Sequence, residues 1–148
     1  MPFEYKIDKQ GNIIFCHFTG SLDDQSLLAS FSQFYSDPEF EPHTIQCIDY
    51  TQVSEVTVTR QGIKDLVTLC EQLGPGKLRG KICIVASDDL MFGYSRMYQM
   101  LCETVNQDIS VSRTLEEALK LLDLKTETYP FLIGRSQQHK SESQHKGS

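Results

Sequence analysis

The sequence lacks long apolar runs and clusters of basic residues. No apolar stretch approaches the roughly 20 residues that a membrane-spanning helix needs, so we expect no membrane insertion. The 14 lysines and arginines are scattered singly among 20 aspartates and glutamates, and the net charge is -6. Because proteins bind nucleic-acid backbones through clustered cations, we expect no nucleic-acid partner.

The sequence also lacks the usual motifs for metal binding and for secretion. It contains no C-x-x-C pair, no H-E-x-x-H and no acidic calcium loop, so we expect neither a metal nor a cofactor. Its first residues do not combine a basic start, an apolar run and a small-residue cleavage site, so we expect a cytoplasmic protein.

The cysteines are odd in number, and each lies inside an apolar segment. This placement is typical of buried free thiols in a reducing compartment, not of disulfides. The five are Cys16, Cys47, Cys70, Cys83 and Cys102.

The first part of the chain predicts a hairpin followed by a helix. Apolar and charged residues alternate over residues 3–8, and the segment KQGN (9–12) predicts a turn into the apolar run 13–18. Ser21, with Asp24 three residues later, predicts a helix N-cap with a carboxylate in the first turn. Apolar residues then recur at helical spacing up to the Asp-Pro pair at 37–38, which ends the helix.

Three strand–helix units follow, and in each of them a short apolar run precedes a stripe of apolar residues at helical spacing. The predicted strands are residues 44–50, 81–86 and 109–112, and the predicted helical stripes are residues 63–73, 91–105 and 115–122. Strands that alternate with helices of this length pair in parallel. We therefore predict an α/β fold in the order β-β-α-β-α-β-α-β-α, with a mixed, mostly parallel sheet and an N-terminal hairpin.

The last part of the chain differs in composition. Residues 1–124 form the predicted domain, and residues 125–148 form a tail that becomes polar and is expected to be disordered towards its end. The tail includes an apolar island, YPFLI (129–133). An apolar segment of this kind has to dock on its own domain, on a second copy or on another protein.

Three segments carry a resemblance to a known family. They are IDYTQV (48–53), KICIVASDDLMFGYSRMYQML (81–101) and SRTLEEALKLLDL (112–124). The middle segment contains a Gly-x-x-Arg-Met-Tyr element at residues 93–98. From about Phe3 to Leu124 the chain resembles the SpoIIAA-like group of STAS domains, which includes small bacterial proteins described as STAS/SEC14-domain proteins. The resemblance implies a STAS-like fold, which hosts binding and regulatory modules more often than enzymes.

The resemblance does not carry a phosphorylation site onto this chain. In the anti-sigma-factor antagonists of the family, a serine in an Asp-Ser-Ser-Gly-like turn is phosphorylated, and the added charge switches partner binding. Residues 53–62 of this chain read VSEVTVTRQG and contain no such quartet. Phosphorylation of Ser54, Thr57 or Thr59 is left open.

Several polar residues have two interpretations each. Ser87, Asp88 and Asp89 follow a predicted strand, and they either form the rim of a ligand pocket or cap the next helix. Asp49 is either an acid–base group with a raised pKa or an acceptor for backbone amides of the following loop. Arg96 is either a fixed cation for a carboxylate, including that of Asp49, or the partner of a neighbouring aspartate.

No catalytic motif is present. No serine or cysteine is paired with a histidine in a recognisable catalytic pattern, since His17 falls in a predicted strand and His43 in a loop. An enzyme would have to be built from the residues Asp49, Asp88, Arg96 and Tyr98. We therefore predict no enzymatic activity.

The sequence favours a non-enzymatic regulatory or interaction module, with a protein partner or self-association. The alternative is a protein that binds a small amphipathic or lipid-like ligand in a cleft at the C-terminal ends of the parallel strands. Mixed aromatic, methionine and charged side chains suit such a ligand. The candidate ligand-binding residues are Asp49, Tyr50, Asp88, Met91, Phe92, Tyr94 and Arg96.

Overall fold

A computed structural model describes residues 3–106 and 108–124. Five strands and four helices lie in these ranges, in the predicted order. They are β1 (Phe3–Asp8), β2 (Ile13–Leu22), α1 (Asp24–Tyr35), β3 (Ile45–Val56), α2 (Arg60–Gln72), β4 (Ile82–Val85), α3 (Asp89–Leu101), β5 (Ile109–Ser112) and α4 (Leu115–Leu121).

The strands form one sheet in the order β1-β2-β3-β4-β5. β1 pairs with β2 in the antiparallel direction, and the three remaining pairs are parallel. The α/β class, the mostly parallel mixed sheet and the N-terminal hairpin are therefore confirmed. The predicted tail, with its apolar island 129–133, lies outside the described residues.

Each central strand of the sheet is buried on both faces. Alternate residues of a strand point to opposite sides, so that Ile14 and Ile48 pack in the larger core cluster and Ile13 and Cys47 in the smaller one. Buried residues of α1, α2 and α3 belong to the larger cluster. Leu115, Ala118 and Leu122 belong to the smaller one, so α4 covers the opposite face.

Two strands are longer than the sequence predicted. β2 continues to Leu22 and β3 to Val56, whereas the apolar runs end at residues 18 and 50. The extensions pair with each other across irregularities in register at His17/Thr19 and Gly20/Ser21. Ser21, Ser54 and Glu55 are exposed in these extensions while Gln52 is buried, and the pleat is broken, so neither a buried run nor a regular alternation marks them as strand.

The predicted cap of α1 was wrong by two residues. Asp23, not Ser21, is the N-cap, and its carboxylate accepts a 2.7 Å hydrogen bond from the Ser26 backbone amide. Ser21 lies in the extension of β2, where its hydroxyl donates to the Glu55 carboxylate. An aspartate and a serine are nearly equivalent as N-caps, so the choice between them depends on where β2 ends.

All five cysteines are buried and free, as predicted. Burial raises the pKa of the Cys16 and Cys47 thiols well above its usual value. Both side chains therefore stay neutral near pH 7 and act as small apolar groups in the core.

At Gly80, the loop between α2 and β4 lies close to the backbone of the segment that precedes β3. A Cβ atom at this position would lie 2.8 Å from the His43 carbonyl oxygen and closer still to that of Thr44. The neighbouring amide of Arg79 donates a 2.7 Å hydrogen bond to the Pro42 carbonyl, so the two backbones are held together there.

We expect Gly80→Ala to lower the free energy of unfolding by about 2 kcal/mol, because backbone atoms have to separate to admit the methyl group. Urea unfolding followed by circular dichroism measures this change. An unchanged midpoint would show that the loop can move to admit the methyl group without a loss of stability.

Candidate functional site

The structure places several of the sequence candidates in the core. Tyr50 and Met91 are 6% and 2% exposed. Together with Tyr94 they line a gap of about 10 Å³ beneath α3. Such a gap holds at most one water molecule, so these side chains meet as core packing and leave no cleft between them.

Asp49 lies on the other face of the sheet from its neighbour Tyr50, because adjacent residues of a strand alternate. Its carboxylate accepts a 2.8 Å hydrogen bond from the Thr51 backbone amide and lies 3.3 Å from Nδ1 of His17. Asp49 is therefore a backbone acceptor, although the amide that it binds lies within β3 and not in a following loop as predicted. The sequence did not indicate the pairing with His17, because the two residues meet only through the register of β2 and β3.

The acidic pair before α3 also has structural partners. Asp88 is the N-cap, and its carboxylate accepts a 3.0 Å hydrogen bond from the Met91 backbone amide. Asp89 pairs at 2.7 Å with Arg113, whose guanidinium also lies 3.9 Å from the centre of the Phe92 ring. The capping interpretation is therefore confirmed for Asp88, and Phe92 and Asp89 are joined to the turn before α4.

Arg96 lies apart from Asp49. It lines a shallow depression at the C-terminal half of α3, where Gln99, Glu103 and Asn106 are its polar neighbours. The structure thus brings Tyr50, Met91 and Tyr94 together and keeps Asp88 and Phe92 one turn apart at the start of α3. It places the buried Asp49 and the exposed Arg96 away from both groups.

A larger depression lies between α2 and α3. It encloses about 520 Å³, and we call it the α2–α3 groove. The residues that line it are Arg60, Lys64, Asp89, Leu90, Gly93, Tyr94, Met97 and Met100. Of the seven candidate ligand-binding residues, Tyr94 alone lines this groove, and Asp89, which the sequence offered as part of a pocket rim, lines it too.

The α3 side of the groove is apolar although another side of the same helix is already buried. Met91 and Tyr98 face the core, yet Leu90 is 50% and Met100 64% exposed. A helix that is apolar almost all round is normally buried all round. Because three of the four methionines of the chain lie in α3, the exposed side is also chemically adaptable.

The α2 side of the groove is basic. Arg60 and Lys64 are one helical turn apart, both are exposed, and among the described residues neither forms an ion pair. The start of α2 is fixed by Asp24, whose carboxylate accepts bonds of 2.8 Å and 2.5 Å from the amide and hydroxyl of the N-cap Thr59. The groove therefore combines an apolar wall with a cationic wall on a helix whose start is held by hydrogen bonds.

Sequence reasoning missed the cationic wall. The spacing of Arg60 and Lys64 does place them on one face of α2, but an exposed helix face carries such residues in most proteins. What distinguishes these two residues is the apolar helix beside them, and that neighbour comes from a later part of the chain.

The open phosphorylation candidates differ in their surroundings. Thr59 is engaged by Asp24 and also accepts a 3.1 Å bond from the Gly62 amide, so a phosphate there would lie against a carboxylate. Ser54 is exposed on β3, and Thr57 donates to the Leu22 carbonyl.

Within residues 3–106 and 108–124, no group of three or more histidine, cysteine, aspartate or glutamate side chains is placed to hold a metal ion. In the same ranges no helix has the length and apolar character needed to cross a bilayer.

Comparison of the chain with known protein families gives no matching family, and comparison with curated proteins gives no match either.

Gly93 lies in the middle of α3 and in the wall of the groove, and a Cβ atom added there would meet nothing within 4 Å. We expect Gly93→Ala to raise the free energy of unfolding by roughly 0.5–1 kcal/mol, because glycine is a poor helix former and the methyl group has room. Urea unfolding of this variant and of Gly80→Ala in one series tests the expected gain and the expected loss of stability together. A destabilised Gly93→Ala protein would contradict the open space.

Proposed function

We propose that the protein is a non-enzymatic regulatory or interaction module of the STAS-like type, and that it binds a protein partner through the α2–α3 groove. The STAS-like part of the proposal rests on the sequence resemblance of residues 48–53, 81–101 and 112–124. The location of the binding surface rests on the groove itself.

The observation that carries the proposal is the exposed apolar side of α3. Leu90, Met97 and Met100 form a patch that remains accessible although the helix has another face in the core. Burial of side chains of this size stabilises by about 1.5–3 kcal/mol each when it is complete. A contiguous apolar patch with a charged rim is typical of a protein–protein contact surface.

The chemistry of the groove favours binding over catalysis. Its eight described lining residues include no histidine, cysteine or serine, and Asp89 is already paired with Arg113. Tyr94 contributes a hydroxyl group and Arg60 and Lys64 contribute fixed charge, which are suited to recognition. The groove therefore offers neither a nucleophile with a base nor two carboxylates for acid–base work.

A second candidate function is the binding of a small amphipathic or lipid-like ligand. The volume of about 520 Å³ lies in the range of small-ligand sites, and an apolar wall beside two cations would suit an amphipathic anion. However, such sites bury most of the ligand, whereas Leu90 and Met100 are at least half exposed here. The open shape favours a macromolecular partner.

We expect Met100→Glu to abolish partner binding, because it places a carboxylate at the most exposed position of the apolar patch. Leu121→Glu is the matched control, since Leu121 is a similarly exposed apolar residue on α4. Both variants should fold with a change in unfolding free energy within about 0.5 kcal/mol, because both positions are exposed. Capture from native extract with each full-length protein, quantified by mass spectrometry, measures the difference.

The decisive result is a partner that the wild type and Leu121→Glu retain and that Met100→Glu loses. Equal capture by both variants would overturn the assignment of the surface. Native mass spectrometry of the same samples tests the second candidate, because a bound small molecule adds mass to the wild type and should be lost from Met100→Glu.

A further inference from the structure

We propose that the occupant of the α2–α3 groove is an amphipathic helix of another protein, with two carboxylates one turn apart along one edge of its apolar face. This inference rests on the proposed function and names the class of partner for the same surface.

The dimensions of the groove suit a helix that lies along it. α2 and α3 each have 13 residues, which corresponds to about 20 Å. Leu90, Met97 and Met100 lie along about 15 Å of α3, which is close to three turns. A helix bound in a groove makes its contacts through side chains at the same three- and four-residue spacing.

Gly93 is the position at which a bound helix can come closest to the backbone of α3. It lies between Leu90 and Met97 on the wall of the groove and leaves the backbone of α3 bare. Glycine weakens an exposed helix compared with alanine, so its position here has a cost in stability. What it provides is room for a second backbone to approach α3 more closely than any side chain would allow.

The charges on the groove predict which charges the bound helix carries. Arg60 and Lys64 both lie on the α2 wall, without an ion pair among the described residues, while the one acidic residue among the described lining residues, Asp89, pairs at 2.7 Å with Arg113. Two cations one turn apart match two carboxylates that are also one turn apart on a facing helix. The partner helix therefore carries acid along the edge that faces α2 and apolar residues over α3.

A second copy of the same chain fits this pattern poorly. α3 supplies an exposed apolar face, but its one carboxylate is Asp89, which is paired with Arg113. α4 has Glu116 and Glu117, but they are adjacent, and Leu115, Ala118 and Leu119 are buried against the sheet. Among the described helices none combines an exposed apolar face with two free acids one turn apart, so the described part of a second copy does not supply the complementary charge.

The test is a selection from a displayed library of helical peptides of about 16 residues, long enough to span the groove. Apolar positions are drawn from aliphatic residues, methionine and phenylalanine, and the flanking positions from acidic, basic and neutral residues. Selection uses the full-length wild-type protein. We expect enriched peptides with two acidic residues one turn apart beside the apolar face.

Fluorescence anisotropy with the enriched peptides then measures the contribution of each wall. We expect the double variant Arg60→Glu/Lys64→Glu to weaken binding at least about tenfold at low salt, with a smaller effect at high salt. The double variant Lys77→Glu/Lys81→Glu makes the same change in net charge at exposed positions outside the groove and should retain binding within about twofold. Gly93→Gln, which fills the closest approach with a helix-forming side chain, should also weaken binding about tenfold.

Three outcomes would overturn the inference. Enriched peptides that have basic or neutral edges, equal weakening by both charge reversals, or a wild-type dimer that Met100→Glu converts to monomer would each identify a different occupant. The proposed function fails separately: in that case Met100→Glu and Leu121→Glu capture the same proteins, whatever peptides were selected. If Met100→Glu loses the captured partner but the selected peptides show no preference for acidic residues, the groove remains the proposed binding surface. Only the acidic helix as its occupant is then ruled out.

Discussion

Burial of the central strands on both faces is the constraint on which the rest of this structure depends. Ile13 and Ile14 are neighbours in β2, yet each lies in a different core cluster, and Cys47 and Ile48 repeat this arrangement in β3. Because both faces carry apolar side chains, both need helical cover. α1, α2 and α3 pack on one face, and α4 packs on the other. The groove exists because α2 and α3 share a face and meet side by side on it.

Helix α3 satisfies two demands that are usually met by separate elements. Met91 and Tyr98 complete the larger core cluster, while Leu90 and Met100 leave an apolar surface outside it. The helix has few polar residues left with which to face solvent, and two of these, Arg96 and Gln99, lie together in the smaller depression. Gly93 adds a bare stretch of backbone on the groove side. The result is a helix that is held at its start by the Asp88 cap. Its accessible side has the apolar composition of a protein contact surface.

The sequence predicts the order of the elements well, because apolar periodicity changes clearly between strand and helix along the chain. It predicts the site less well. Tyr50 and Met91 have the composition of a ligand cleft, but an aromatic or methionine side chain near a strand end looks the same in sequence whether it lines a cleft or fills the core. Arg60 and Lys64 look like an ordinary solvated face of α2 until α3 is placed beside them. Both cases depend on contacts between elements, which cannot be read from the spacing of residues within one element.

The methionines of α3 also give the groove a chemical sensitivity. A thioether is readily oxidised to a sulfoxide, which is polar and chiral. Met100, at 64% exposure, is open to oxidants, while Met91 in the core is shielded from them. Oxidation would therefore alter the surface of the groove and leave the fold intact. Protein exposed to peroxide would stay folded and yet carry a polar sulfoxide where Met100 had presented an apolar side chain to the groove.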